Sequence, residues 1–324
     1  MDDPAVVVAG TEEERRRMIG QLLLLWTVLG LKLAWPKGQA GTMVDWIGAR
    51  VKISHHHGVL AVRAELLDKK AKEIQELIQS LWDNRGMVGS RGVLRLAGRL
   101  EWVGSLFPWL RSYNSALWAS ITASKTDSED NKKKQSKKRP TYLVFTKRFR
   151  PALKWIQALF EGSKAHGTEM KIGRWFPLSA QLHEAKYIVR CDASPIGLGG
   201  MLIHEGTMVS WWADDVTQQD LDHLKITRRP EWQPELELLA ILASLRLWVE
   251  YFTCGNLVVH GDAKAALRAA KKLASSSPVM NYLAGEVGVT VEVFSVNLVV
   301  KHLPGAVNVD DDAISRLKGG KEVP

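Results

Sequence analysis

Apolar and polar positions divide the chain into two regimes. From residue 185 onward, three short β-forming runs, 187–192, 200–204 and 208–212, follow one another closely. A long apolar helical stretch at 231–252 comes next. It is followed by a strand at 256–261, a helix at 263–273, a short helix near 279–286, a strand at 290–300 and a helix beginning near Asp310. Three antiparallel strands and then alternating helices and strands predict an α/β fold, a mixed five-stranded sheet flanked by helices. In such a sheet the ends of the first and fourth strands are neighbours.

The earlier part reads differently. The apolar run after Asp2 and Asp3 predicts a buried strand entered by two acids. Residues 12–30 predict a helix, capped by Thr11, with Glu12–Glu14 at its positive end and Gly30 at its close. Its apolar stretch, 22–31, is shorter than the ~20 residues that cross a bilayer, so a core helix is expected. Short strands are expected around 32–35 and 45–51. His55, His56 and His57 read as an exposed turn, because successive side chains on a strand face opposite ways and cannot all reach one ion. Residues 64–121 look helical, one helix running over 66–84 and another starting at 90–100. Trp82, Trp102, Trp109 and Trp118 suit the core of that helical unit, with base stacking as the other reading.

Residues 126–140 predict a linker. Lys132, Lys133, Lys134, Lys137, Lys138 and Arg139 crowd together there with no apolar partner. The linker could also contact phosphates or act as a nuclear localisation signal. Structure resumes over 141–162 with a basic helix, where Lys147, Arg148, Arg150 and Lys154 alternate with Phe149, Leu153, Trp155 and Ile156.

Charge adds a direction. The 324 residues carry a formal net charge of +9, unevenly spread. Residues 1–180 hold 30 Lys and Arg against 17 Asp and Glu, a net of +13, whereas residues 181–324 hold 14 against 18, a net of −4. The first part suits a polyanion, or is simply a solvated basic surface; the second carries an acidic cluster. Two cysteines, Cys191 and Cys254, supply neither a disulfide framework nor zinc spacing. The acidic start at Met1-Asp2-Asp3 lacks the basic pattern of a signal peptide, which predicts an intracellular chain, nuclear or cytoplasmic, with no membrane partner.

The candidate chemistry centres on residues 190–200, RCDASPIGLGG. Alone, this is a hairpin with an aspartate in its turn, whose glycines let a second backbone come close. Three further acids fall at comparable places: Glu237 in the first turns of the long helix, Asp262 at the end of the fourth strand, and Asp312 opening the last helix. Four carboxylates at one sheet end repel one another unless cations lie between them. Oxygen ligands select Mg²⁺ or Mn²⁺. Two such ions, about 3.5–4 Å apart, would activate a water and stabilise the leaving oxygen in phosphodiester hydrolysis.

The strings CDASPIGLGG, ELLAIL, VVHGDAKAAL and HLPGAVNVDDDAISRL, in that order, make residues 185–318 resemble the ribonuclease H domain of retroelement Pol polyproteins. The resemblance implies Asp192, Glu237, Asp262 and Asp312 as ligands of two Mg²⁺ ions. It selects Glu237 over Glu235, because Glu237-Leu238-Leu239-Ala240 fits the family's helix pattern. It selects Asp312 over Asp310 and Asp311, because Asp312 lies four residues after Asn308. It also gives His302 a role in product release or proton transfer, and implies cleavage of the RNA strand of an RNA–DNA hybrid.

The first half is similar to the same polyproteins of DIRS-like and gypsy-type elements. Met1-Asp2-Asp3 and the run after it look like the tail of a reverse transcriptase Tyr-x-Asp-Asp motif. GLKLAWPKG and VDWIGARV look like palm segments, and RGVLRLAGRLEWVGSLFPWLR like the thumb and connection. The expected organisation is a truncated α+β palm remnant (1–60), a helical thumb and connection (61–124), a basic linker (125–140), a connection helix and linker (141–184) and the ribonuclease H-like domain (185–318). Lys147, Arg148, Arg150 and Asn308 are expected to contact nucleic acid. The Tyr, an earlier palm Asp and the fingers would precede Met1, so Asp2 and Asp3 are vestigial and no polymerase activity is expected unless a partner supplies the missing part. Two alternatives stay open: a non-catalytic nucleic-acid-binding remnant, and another enzyme on the same fold, such as an integrase or resolvase.

Overall fold

The computed structural model describes residues 6–32, 34–84, 86–133, 143–161, 172–178, 185–305 and 308–317. Asp2 and Asp3 lie outside the described residues. Residues 6–9 are irregular, with Val6 and Val7 exposed, and not the expected buried strand. Helix α1 (Glu12–Val28) begins at a Thr11–Glu14 capping box as its sequence predicts. It is not a core helix, for it buries no residue and Leu24 is 66% exposed. Ile19, Leu22, Leu23 and Trp26 do recur at helical spacing, but Leu22, Leu23 and Trp26 are only half-buried and Ile19 is exposed, so this stripe is not covered among the described residues. Among the described residues of 32–35, which leave out residue 33, no strand forms. A 3-10 turn occupies Trp35–Lys37, where Pro36 lacks an N–H and restricts the residue before it.

Strands β1 (Met43–Trp46), β2 (Ala49–His56) and β3 (Val59–Leu66) form two successive antiparallel hairpins. The single strand expected at 45–51 is broken at Ile47-Gly48. Both hairpins turn on two residues of positive φ, Ile47-Gly48 and His57-Gly58, the backbone that matches the right-handed twist of paired strands.

Helix α2 (Asp68–Trp82), strand β4 (Met87–Gly89), helix α3 (Ser90–Leu106), helix α4 (Arg111–Lys133), strand β5 (Leu143–Phe145) and helix α5 (Arg150–Glu161) follow. Their apolar faces share one core containing Ile74, Leu96, Leu117, Phe149 and Ile156. Trp109 is buried in it, Trp82 and Trp102 pack at its edge, and Trp118 is 39% exposed. Helix α4 runs through the first half of the expected linker, because a helix nucleated by a buried first part propagates cheaply. Residues 134–140 lie outside the described residues. Strand β6 (Gly173–Pro177) returns to pair with β3, completing a sheet of order β1-β2-β3-β6.

The second sheet is the mixed five-stranded one that the sequence predicts. It contains β7 (Tyr187–Ala193), β8 (Gly197–His204), β9 (Thr207–Asp215), β10 (Asn256–Gly261) and β11 (Asn297–His302), in the order β11-β10-β7-β8-β9. β7, β8 and β9 are antiparallel, while β10 is parallel to both β7 and β11. Central parallel strands are covered on both faces, which is why Leu257-Val258-Val259 is an unbroken apolar run. The helices are α6 (Gln218–Leu224), α7 (Gln233–Phe252), α8 (Lys264–Lys272), α9 (Pro278–Val293) and α10 (Val309–Ser315). α6 was not read from the sequence. α9 continues through Thr290 and Val291, which were expected to begin a strand.

The glycines of β8 seat two of these helices. A Cβ on Gly199 would stand 2.5 Å from Ile314 and 2.9 Å from the Ser315 backbone, both on α10, and one on Gly197 would meet the Ser315 carbonyl. A Cβ on Gly200 would instead strike Ser244 of α7. Neighbouring strand residues face opposite ways, so α10 and α7 cover opposite faces of the sheet. The glycines are therefore strand residues that admit helices, not the turn expected from their sequence; Ser194, Pro195 and Ile196 connect the strands.

Candidate active site

Asp192 sits one residue before the end of β7 and is 5% exposed. Its Oδ2 accepts a 2.9 Å hydrogen bond from the hydroxyl of Ser315, the last residue of α10. Ser194 also donates to the Ser315 carbonyl, at 2.9 Å. The end of α10 is thus tied to the end of β7 at two points, and the glycines of β8 allow the approach.

Glu237 lies in the second turn of α7 and is 4% exposed. Gln233, one turn earlier, donates to Glu237 Oε1 at 3.2 Å and also to the Ala193 carbonyl, so it bridges α7 to the end of β7. Asp262 directly follows β10, the parallel neighbour of β7. Carboxylate oxygens of Asp192, Glu237 and Asp262 all lie within 4.8 Å of one another. Burial, then the Asp192 charge, then that of Asp262, push the Glu237 carboxyl up to about 9, against the smaller opposing effect of the Gln233 hydrogen bond. Three oxygen donors crowded this closely fit a hard divalent cation, whose charge would remove that repulsion.

Glu235, the other acid at the start of α7, does something else. It is buried and accepts a 2.8 Å bond from Ser277, the residue that caps α9. Asp312 is on α10, but its carboxylate is not in the three-member group. It is half-exposed and paired with Arg316 at 2.5 Å. His302 ends β11 beside Gly261, next to Asp262, and is exposed.

Asn308, expected to touch nucleic acid, is 2% exposed at the start of α10. Neither of its side-chain polar atoms has a hydrogen-bond partner among the described residues. Lys147 and Arg148 are exposed on a 3-10 turn, Thr146–Arg148, and Arg150 at the start of α5 stacks 4.8 Å over Trp82. Ser315 and Gln233 were missed by sequence reasoning. The only signal was spacing: each lies one helical turn from an acid already singled out, three residues after Asp312 and four before Glu237.

No helix among the described residues is long and apolar enough to cross a membrane. No protein-family model matches the sequence, and no curated protein matches it. Among solved structures, ribonuclease H1 from the halophilic archaeon Halobacterium salinarum NRC-1 aligns over 41% of this chain and 98% of its own, at 17% identity and a TM-score of 0.34. A foamy viral protease-reverse transcriptase in complex with RNA/DNA hybrid aligns over 91% of this chain and 34% of its own, at 11% identity and a TM-score of 0.33. The foamy viral protease-reverse transcriptase dRH in complex with double-stranded DNA aligns over 91% and 44%, at 10% identity and a TM-score of 0.36. This chain spans under half the length of either viral protein.

Proposed function

We propose that residues 185–318 of this chain hydrolyse the RNA strand of RNA–DNA hybrids endonucleolytically, in a reaction that depends on Mg²⁺, with Mn²⁺ as a substitute. The observation that carries this reading is the approach of the Asp192, Glu237 and Asp262 carboxylates within 4.8 Å at one end of a mixed sheet. The four ordered sequence strings around Asp192, Glu237, Asp262 and Asp312 support it.

Asp192, Glu237 and Asp262 would hold the cations, joined by Asp312 from α10. Bound cations supply activation of a water nucleophile and charge stabilisation at the leaving oxygen. The chain's own residues do the rest. β7 and β10 fix Asp192 and Asp262 side by side, and Gln233 and Ser315 orient the buried carboxylates. His302, exposed next to Asp262, takes or gives a proton at the leaving group and eases product release. Lys147, Arg148 and Arg150 grip backbone phosphates, and recognition of the 2′-hydroxyl separates RNA from DNA.

A non-catalytic hybrid-binding role is favoured by one observation: Asp312 is engaged by Arg316 and is not a member of the group formed by the other three acids. The purified chain and Asp262→Asn, incubated with a labelled hybrid in Mg²⁺, separate the two. Cleavage by the wild type alone, abolished by chelation, is the expected result. Equal cleavage by Asp262→Asn would remove the metal-site assignment. Tight binding with no cleavage by the wild type would select the non-catalytic role.

A further inference from the structure

The three histidines at 55–57 were set aside because a strand cannot aim consecutive side chains at one ion. The chain evades that rule for two of them. β2 ends at His56, and His57 enters the turn with a left-handed φ of 48°. The reversal breaks the alternation of the strand and brings the two imidazole centroids to 4.3 Å. His55 stays outside the group.

The third member comes from the other end of the sequence. Cys254 follows α7 in a tight turn with φ 56°, its N–H donating to Phe294 O at 2.9 Å. It is buried and forms no disulfide. One nitrogen from each of His56 and His57, and the Cys254 sulfur, all lie within 4.8 Å of one another. A four-coordinate zinc with Zn–S near 2.3 Å and Zn–N near 2.0–2.1 Å needs its ligand atoms about 3.3–3.8 Å apart, so a side-chain adjustment of about an ångström closes the site.

The group is also braced as a ligand set should be. The His56 ring stacks on Trp175 of β6 at 4.3 Å and 6°, and its Nε2 lies 3.1 Å from the Ser295 hydroxyl, just after α9. A hydrogen bond to one ring nitrogen fixes the orientation of an imidazole and leaves the other nitrogen for a metal.

We propose that His56, His57 and Cys254 form a binding site for a thiolate- and imidazole-seeking divalent ion of the zinc class, with a fourth position open to water. Imidazole plus thiolate selects such ions over Mg²⁺, which takes oxygen. The site is chemically distinct from the carboxylate group and does not depend on the hydrolytic reading. Its ligands come from the first sheet and from the α/β unit, so an ion there clamps the tip of the β2–β3 hairpin to the α7–β10 connection.

Cobalt titration of the full chain under reducing conditions tests this, with Co²⁺ as the probe. The expected result is saturation at one ion with a sulfur-to-cobalt charge-transfer band and the visible absorption of a four-coordinate ion, both displaced by Zn²⁺. The band disappears in Cys254→Ser and weakens in His57→Ala, an exposed position whose loss leaves the core intact, and it persists in Glu237→Gln. Zn²⁺ raises the melting temperature of the wild type but not of His57→Ala. Absence of a charge-transfer band in the folded wild type, or its survival in Cys254→Ser, which would move it to Cys191, overturns the proposal.

Discussion

The Ser315 hydroxyl lies 2.9 Å from Asp192 Oδ2 and donates to it, joining the last turn of α10 to the end of β7. A hydrogen bond to a buried charged acceptor contributes about 1.5–3 kcal/mol. Ser315→Ala is therefore expected to lower stability by roughly that amount in thermal or urea unfolding. Because α10 also carries Asp312, the same change is expected to lower hybrid cleavage through kcat with little effect on KM. An unchanged melting temperature would show that this bond contributes nothing net.

Gly199 and Gly98 should respond to alanine with opposite signs. A Cβ on Gly199 would stand 2.5 Å from Ile314 Cγ2 and 2.9 Å from Ser315 N, so α10 must move away from the sheet. Overpacking of this kind costs about 1–3 kcal/mol, and here it would also disturb the Asp192–Ser315 contact. Gly98 is exposed inside α3, with nothing near its would-be Cβ. Gly98→Ala is expected to stabilise by about 0.5–1 kcal/mol, since alanine loses less backbone entropy in a helix. Paired unfolding curves check both; stabilisation by Gly199→Ala would mean that α10 does not sit tightly on β8.

The carboxylate group predicts a pH dependence that a divalent cation should erase. Glu237 is pushed from 4.5 up to about 9 in the folded chain. The unfolded chain therefore releases this proton at lower pH than the folded one. Stability from this group is complete below about pH 4.5 and falls as pH rises towards 9. Glu237→Gln, which keeps the shape without the charge, is expected to raise the melting temperature at pH 8 in chelator and to flatten the slope. Mg²⁺ is expected to stabilise the wild type more at pH 8 than at pH 5, and Glu237→Gln much less at either. Equal Mg²⁺ increments in both proteins would detach the cation from this group.

What could be read from the sequence follows from how local each determinant is. β10 was legible because a strand covered on both faces needs the unbroken run Leu257-Val258-Val259, flanked here by Gly255 and Gly261. The approach of Asp192, Glu237 and Asp262 was legible because each acid sits at the end of a strand or the start of a helix. Asp312 pairs with Arg316 at the helix C-cap, an i,i+4 spacing visible in the sequence; what spacing does not reveal is that its carboxylate falls outside the three-acid group.

The extent of α9 was hidden by its own composition. Gly285, Gly288, Thr290 and Val291 all weaken a helix. Yet a Cβ on Gly285 would meet Ser112 at 2.8 Å, and one on Gly288 would meet Trp109 at 3.0 Å. Packing against the start of α4 and the 3-10 turn Pro108–Leu110 before it overrides propensity there. The meeting of His56 and His57 with Cys254 was illegible for the same reason, because it needs a turn backbone and a contact between units far apart in sequence.

Glu292, near the end of α9, gives a second pH dependence separable from that of Glu237. It lies 3.5 Å from Arg174 of β6, where the first sheet meets the α/β unit. Burial pushes its carboxyl up from 4.5 to about 8, only partly offset by the Arg174 charge. The sign is again that of a raised acid: stability is complete below about pH 4.5 and declines as pH rises towards 8. Among the described residues no cation-binding group includes Glu292, so Mg²⁺ should leave this dependence untouched. Glu292→Gln is expected to remove the part of the pH slope below 8 that survives saturating Mg²⁺, and Arg174→Gln to steepen it by withdrawing the charge that favours the ionised form. If the residual slope in Mg²⁺ is the same in Glu292→Gln as in the wild type, the acid is ionised in the folded chain and the Arg174 pair, not burial, governs it.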